Sequence, residues 1–330
     1  MVVHPHFHAR RTGVTRHVES VVRALGAHFT ARALGWALSR QTPRLTWTEF
    51  WGQLRAGTVV WHAHRNLELL MGLLVRALTR RLRVVFSRHS AKPASRYTRF
   101  LAQRADARIA LTEQVRTGLG LSAEIVPHGV DLDAFRPLVD RAQAWRALGL
   151  GGRFGIGVVG RIRPDKGQGD FAEAIAPLQK SHPDWTPVLV GGVRPRDEAF
   201  RNTLRLQLPR LQFVGETESP ERWLAGLSIV VHPSHDEAYS MVLLEAMASG
   251  ACLVASDLPN MRAVIANGDT GFLFPPGDVM GLRKLLARLL DNPDEVDKVG
   301  RAAAAAARAR FGVATEATAL AQVYRKVISA

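Results

Sequence analysis

The chain has 330 residues, 47% of them apolar and 22% charged, and carries a formal net charge of +15. That balance excludes a disordered tail or a fibrous repeat, and at ~150 residues per domain the length accommodates two domains. A single cysteine, Cys252, excludes a disulfide framework and a cysteine-based zinc site, and a reducing cytosol is the expected setting. The N-terminus, Met1-Val2-Val3-His4-Pro5-His6-Phe7-His8, is too poor in apolar residues and too rich in histidine for a signal peptide. Strands are predicted at Val2–Val3, Val59–Trp61, Val84–Phe86, Arg108–Leu111 and Glu124–Val126 in the first part of the chain. Further strands are predicted at Ile156–Val159, Pro187–Val190, Leu211–Val214, Ile229–His232 and Cys252–Ala255. Helices are predicted between them, at Val14–His28, Leu67–Arg80, Asp170–Ser181, Met241–Ser249 and Gly281–Leu290. The longest apolar stretch, Leu67–Leu78, is broken by Arg76 and falls short of the ~20 residues a bilayer span needs. The run Ala302–Ala307 reads as strong helix former.

Apolar strands alternating with helices imply an α/β fold of two doubly wound parallel-sheet domains. Pro127, Pro137 and the glycines of 149–152 break the pattern between Pro127 and Arg153. The expected organisation is therefore residues 1–140, residues 141–312, and a last helix over 313–330 that crosses back onto the first domain. In such folds the loops at the carboxyl ends of both sheets face a cleft between the domains, where chemistry is expected.

Two motifs carry that chemistry. Gly160-Arg161-Ile162-Arg163-Pro164-Asp165-Lys166-Gly167 follows directly on the strand Ile156–Val159. The planar fork of Arg161 and the compact charge of Lys166 suit a departing diphosphate, and the flanking glycines permit close backbone approach. The alternative is a solvated basic loop. Glu237-Ala238-Tyr239-Ser240-Met241 leads from the strand Ile229–His232 into a helix that carries Glu245. Ser240 is the expected N-cap, the first-turn N–H groups suit phosphate, and the carboxylates suit the hydroxyls of a sugar or ribose. The alternative there is an amphipathic helix with its glutamates in water. Asp131-Leu132-Asp133 has the form of a metal-binding pair but precedes Pro137 in the linker, away from any nucleotide-binding strand, and reads as structural. His4, His6 and His8 alternate along the first strand, as His62 and His64 do along another. No nearby carboxylate or cysteine completes a ligand set, so no metal is expected. Gly149–Gly152 lacks the Lys-Ser/Thr of a P-loop, and Cys252 reads as a buried small hydrophobe.

Together these segments resemble the family 4 retaining glycosyltransferases of the GT-B fold, whose Gly-Arg…Lys-Gly loop precedes a Glu-x7-Glu motif. Gly271-Phe272-Leu273-Phe274-Pro275-Pro276-Gly277 resembles the family's segment after the nucleotide site, and Pro127-His128-Gly129-Val130-Asp131 its interdomain segment. Thr12-Gly13-Val14-Thr15-Arg16-His17-Val18 resembles its Gly-Gly-x3-His-Val loop. Within the family, Val60-Trp61-His62-Ala63-His64-Arg65-Asn66, Phe154–Gly160 and His182-Pro183-Asp184-Trp185 resemble bacterial lipopolysaccharide core mannosyltransferases that use GDP-mannose. The resemblance implies that Arg161 and Lys166 bind and stabilise the donor diphosphate, that Glu237 contacts the transferred sugar, and that Glu245 contacts the ribose. It implies that Gly160, Ala238, Tyr239, Ser240 and Met241 line the donor site and that Gly13 lets the first loop approach the phosphates. His89, in Val84-Val85-Phe86-Ser87-Arg88-His89, matches the strand-end histidine that faces the reacting sugar. Arg161, Lys166, Glu237 and His89 are thus the expected catalytic set, with no metal and no cofactor beyond the nucleotide-sugar donor. Ala238 and Ser240 stand where the family has glycines, and Thr12 replaces the first glycine of the N-terminal pair. These departures bear on sugar preference.

The charge is one-sided: residues 1–150 balance at +14 and residues 151–330 at +1. Arg76, Arg80, Arg81 and Arg83 crowd one helix end in the basic half. An anionic phospholipid surface or a phosphorylated glycolipid acceptor explains them, giving a cytoplasmic enzyme held peripherally at the inner face of the membrane. UDP-glucose or UDP-galactose as donor for another glycan is the nearer alternative. A nucleic-acid-binding protein is the distant one, and no helix-turn-helix, zinc finger or RNA-binding signature accompanies the charge.

Overall fold

The computed structural model describes residues 1–9, 13–237 and 239–330. Thr12 and Ala238, singled out above, lie outside the described residues. Contacts divide the chain into two units, Met1–Val130 with Phe311–Ala330, and Asp131–Arg310.

In the first unit β1 (Val2–His6), β2 (Ala31–Gly35), β3 (Val59–Ala63), β4 (Leu82–Arg88), β5 (Ala107–Ala110) and β6 (Glu124–Ile125) form one parallel sheet in the order β2-β1-β3-β4-β5-β6. Successive side chains alternate between its faces, so both must be covered. Val2, Val60 and Val85 pack with Val18 and Val21 of the helix Gly13–Ala24 and with Leu320 and Tyr324 of the helix Val313–Ser329. Val3, Trp61 and Val84 pack on the other side, with Leu54 and Leu69. The last helix of the chain is therefore part of the first unit's core.

The second unit repeats the plan. There β7 (Phe154–Val159), β8 (Trp185–Val190), β9 (Gln212–Gly215), β10 (Leu227–His232), β11 (Cys252–Ser256) and β12 (Phe272–Phe274) run parallel in the order β12-β11-β10-β7-β8-β9. The strand order reverses between β1 and β3 in one sheet and between β7 and β10 in the other. The loops leaving the carboxyl ends of those strands are where open α/β sheets bind ligands.

Several sequence expectations change. The edge strands β2 and β12 escape the sequence pattern, because β2 carries the exposed Arg32 and β12 has only three residues. The strand β1 ends at His6, so His8 does not share a strand face with His4 and His6. The helix expected over Asp170–Ser181 is an α-helix over Gln168–Ile175 followed by a 3-10 turn over Ala176–Leu178, because Pro177 has no N–H to continue the ladder. The division between units falls at 130/131 and 310/311, not at 140/141 and 312/313. Val130 donates to the carbonyl of Phe311 (2.7 Å), while Arg141 is anchored to the second unit through the carbonyls of Leu227 (2.5 Å), Ser249 (2.8 Å) and Ala225 (3.1 Å). Redrawn there, the charge is wholly one-sided: the first unit has 22 basic and 7 acidic residues, the second 22 and 22. Among the described residues no helix is long and apolar enough to cross a membrane.

Candidate active site

The loop after β7 turns through the 3-10 segment Pro164–Lys166 and enters the helix Gln168–Ile175 through Gly167. Buried Gln168 braces it, donating from Nε2 to the Arg161 carbonyl (2.9 Å). Gly167 has φ +69°, and a Cβ there would collide with the Pro233 carbonyl of the loop after β10. Only glycine lets the two loops approach this closely. A second tie runs from His235, whose Nε2 lies 2.7 Å from Asp170 Oδ2 and whose N–H donates to the Asp165 carbonyl (3.2 Å).

Between these ties the Lys166 ammonium meets the Glu237 carboxylate, both side chains largely shielded from solvent. His232 Nε2 lies 3.4 Å from the same oxygen, and Asn260 Nδ2 donates to the Glu237 carbonyl (2.6 Å). Burial alone would raise the Glu237 carboxyl, but His232 and Lys166 together hold it down at about 2. Glu237 is therefore ionised at neutral pH and is no general acid. Arg161 stands exposed at the head of the same loop, after Gly160 (φ +146°). Tyr239, Ser240 and Met241 are half-buried at the start of the helix Met241–Ala248. Ser240 occupies the N-cap position, but its side chain makes no capping bond. Glu245 is buried on that helix, so the alternative of a glutamate in water does not describe it. His232, His235, Asp170 and Asn260 were not legible as site residues, since no motif marks them.

The first unit gathers histidines. His4 Nδ1 lies 3.0 Å from His64 Nε2, His64 Nδ1 3.0 Å from His89 Nε2, and His89 Nδ1 3.1 Å from His128 Nε2. His128 Nδ1 then reaches Glu316 Oε1 at 3.1 Å. At the other end Tyr324 Oη lies 3.5 Å from His4 Nε2 and 2.6 Å from His62 Nδ1, and His62 Nε2 lies 2.7 Å from Ser87 Oγ. Burial pushes every one of these imidazoles below its ordinary value, His4 and His128 to about 3. The string is therefore neutral at pH 7. Burial pushes Glu316 up to about 7, against the opposing effects of His17 and the Gly129 N–H. The trios His4, His62, His64 and His17, His128, Glu316 are spaced as cation ligands could be. Both ring nitrogens of His4, His62 and His64 are nevertheless engaged in the hydrogen bonds just given, so the first trio is a hydrogen-bonded string and not a cage. No carboxylate is expected from sequence beside His4, His6, His8, His62 or His64; Glu316, far along the chain, is adjacent to two other histidines, His17 and His128.

Gly13 opens the helix Gly13–Ala24 and is exposed. The arginine cluster is dispersed: Arg76 pairs with Asp106 (2.9 Å), Arg81 donates to the Arg55 carbonyl, and Arg83 is half-buried in β4. Arg80 is exposed.

Residues 153–292, which contain Arg161, Lys166, Glu237 and Glu245, match the family described as glycosyl transferases group 1. The chain is 31% identical to the lipopolysaccharide core biosynthesis mannosyltransferase LpcC of Rhizobium leguminosarum bv. viciae, over 99% of this chain and 96% of that protein. It belongs to the group 1 glycosyltransferases. This glycosyltransferase is also 29% identical to the mannosyltransferase LpsB of Rhizobium meliloti, over 99% of its own length and 97% of that protein's. Its fold is that of Anabaena HepE, solved with UDP and glucose, with a TM-score of 0.82 at 20% identity over 98% of this chain and 99% of that one. The GT-B fold expected from sequence is thus the fold observed, and the enzyme uses a nucleotide-sugar donor.

Proposed function

We propose that this enzyme transfers mannose from GDP-mannose, with retention of configuration and without a metal, onto the core of a lipopolysaccharide. Near-full-length likeness to two lipopolysaccharide core mannosyltransferases supports the sugar and the acceptor. The observation that carries the mechanism is the meeting of Lys166 and Glu237 between the two loops at the second sheet's switch point. Lys166 and Arg161 neutralise the diphosphate as it leaves, which is the main electrostatic contribution to the rate. Glu237, ionised throughout, positions the transferred sugar, and Glu245 holds the ribose. Gly160 and the backbone of Tyr239, Ser240 and Met241 line the donor site, with phosphate at the helix start. Gly13 and His89 serve from the first unit, His89 toward the reacting sugar. Thermal-shift measurements separate the donors: GDP and GDP-mannose are expected to raise the melting temperature and UDP to leave it unchanged. Stabilisation by UDP alone would sink the choice of donor.

The first unit's charge serves an anionic membrane at the cytoplasmic face. The helix Asn66–Leu78 exposes Leu74 and Leu78, and the neighbouring helix Arg96–Ala102 exposes Tyr97 and Phe100. Exposed Arg80, Arg96 and Arg99 accompany them, and this mixture of apolar and basic side chains suits a lipid headgroup layer. At ~1 kcal/mol per basic residue, replacing Arg80, Arg96 and Arg99 by Glu should weaken binding to phosphatidylglycerol vesicles by about a hundredfold or more. Unchanged co-sedimentation of the triple variant would assign the charge to composition alone.

A further inference from the structure

We infer that Glu316 is a positioning residue which, through His128, sets the tautomer of His89 and of the whole histidine string beyond it. The inference rests on the reading above for His89's role toward the sugar, but not for the string itself.

Glu316 Oε2 accepts the Gly129 N–H at 2.7 Å, and Oε1 faces His128 Nδ1 at 3.1 Å and His17 Nε2 at 3.4 Å. A carboxylate only accepts, so His128 must carry its proton on Nδ1. A neutral imidazole has one N–H and one lone pair. His128 Nε2 therefore accepts, and the proton shared with His89 belongs to His89 Nδ1. The same step repeats: His89 Nε2 accepts from His64 Nδ1, and His64 Nε2 accepts from His4 Nδ1. His4 Nε2 then accepts from the Tyr324 hydroxyl, whose oxygen accepts from His62 Nδ1, and His62 Nε2 accepts from Ser87. Every donor finds an acceptor with all five imidazoles of the string in the Nδ1–H form, the minor form of a free histidine side chain in water. One anion at one end orders them all.

For His89 the consequence is specific. With its proton held toward His128, its Nε2 is a lone pair, so a sugar hydroxyl that takes the place of His64 Nδ1 there must donate. Glu316→Gln inverts this. The amide oxygen keeps the Gly129 N–H, the amide NH₂ then faces His128 Nδ1, and His128 must shift its proton to Nε2. His89, His64 and His4 follow, and His89 Nε2 becomes a donor. A carboxylate-to-amide change of this kind alters the tautomer without altering the shape.

The test is histidine-selective ¹⁵N labelling and long-range ¹H–¹⁵N correlation at pH 8, where Glu316 is ionised, with resonances assigned by single replacements. Nδ1–H signals for His4, His64, His89 and His128 are expected in the wild type, with Nε2–H in Glu316→Gln. Nε2–H signals in the wild type overturn the inference, and that spectrum needs no variant to fold. Unchanged tautomers in a folded Glu316→Gln also overturn it. Transfer assays then separate the two readings. Inverted tautomers with kcat reduced about ten- to a hundredfold and KM little changed uphold both. Inverted tautomers with unchanged transfer uphold the string and refute His89 as the sugar-facing group.

Discussion

Lys166→Ala is expected to lose about a hundred- to a thousandfold in transfer rate, and Arg161→Ala a comparable factor, with the fold intact. The magnitude follows from the chemistry proposed: removing one preorganised partner of a developing anion costs ~10²–10³ in kcat, and a diphosphate leaving without metal relies on few such partners. The fold should tolerate the change, because the 3-10 turn, Gly167 and the Gln168 brace hold the loop independently of the ammonium. Glu237 keeps His232 at 3.4 Å as its remaining partner. Stability should fall by about 1.5–3 kcal/mol, the net worth of one largely shielded charge-assisted hydrogen bond. Steady-state kinetics with calorimetry on the same preparations measure both, and near wild-type turnover in either variant refutes the roles given to the loop.

The second large effect is acid lability of the first unit. His4, His17, His62, His64 and His128 are at most 5% exposed, and burial depresses all of them in the folded state. The unfolded chain takes up their protons as pH falls through ~6.5, while the folded chain resists until far lower. Their contribution is therefore complete above pH 6.5 and is lost as pH falls toward the folded values. Glu316 acts oppositely. Raised to about 7, it gains its proton first in the folded state and offsets roughly one histidine. A net uptake averaging about three protons on unfolding costs the fold about 4 kcal/mol between pH 6.5 and 5.5. Against a total of ~5–15 kcal/mol that is severe, and a transition temperature should drop by roughly 10 °C. Calorimetry at pH 7.5, 6.5 and 5.5 reads the slope. A flat melting temperature across that range would show that the histidines are not held neutral.

The two loops proposed to hold the donor were legible as a pair of motifs because each motif is local. Arg161 and Lys166 lie in one turn after one strand, and Glu237 and Glu245 flank the start of one helix, so strand–loop–helix reasoning places them without tertiary knowledge. What that reasoning could not see is that Lys166 and Glu237, 71 residues apart, meet each other. The histidine string was illegible for the same reason in stronger form. Its links span 25, 39, 60, 188, 262 and 320 residues and join three strands, the segment after β6 and the last helix. In sequence His4, His62 and His64 are only alternate positions along or just past short strands, His89 and His128 are single residues in the segments that follow two others, and Glu316 is one polar residue in a helical pattern. Parallel sheets create such clusters because every strand end arrives on the same side, whatever the order in the chain. The charge asymmetry was visible from counting, but its edge was not. Residues 131–150 belong with the neutral unit, and the returning helix adds to the basic one.

Incubation with radiolabelled GDP-mannose and a lipopolysaccharide core lacking its mannose, followed by NMR of the product, tests the proposed function most directly. The expected product carries one new α-linked mannose, the configuration of the donor, formed by the wild type in the presence of chelator and not by Lys166→Ala. No transfer from GDP-mannose, with transfer from UDP-glucose or UDP-galactose instead, would contradict it.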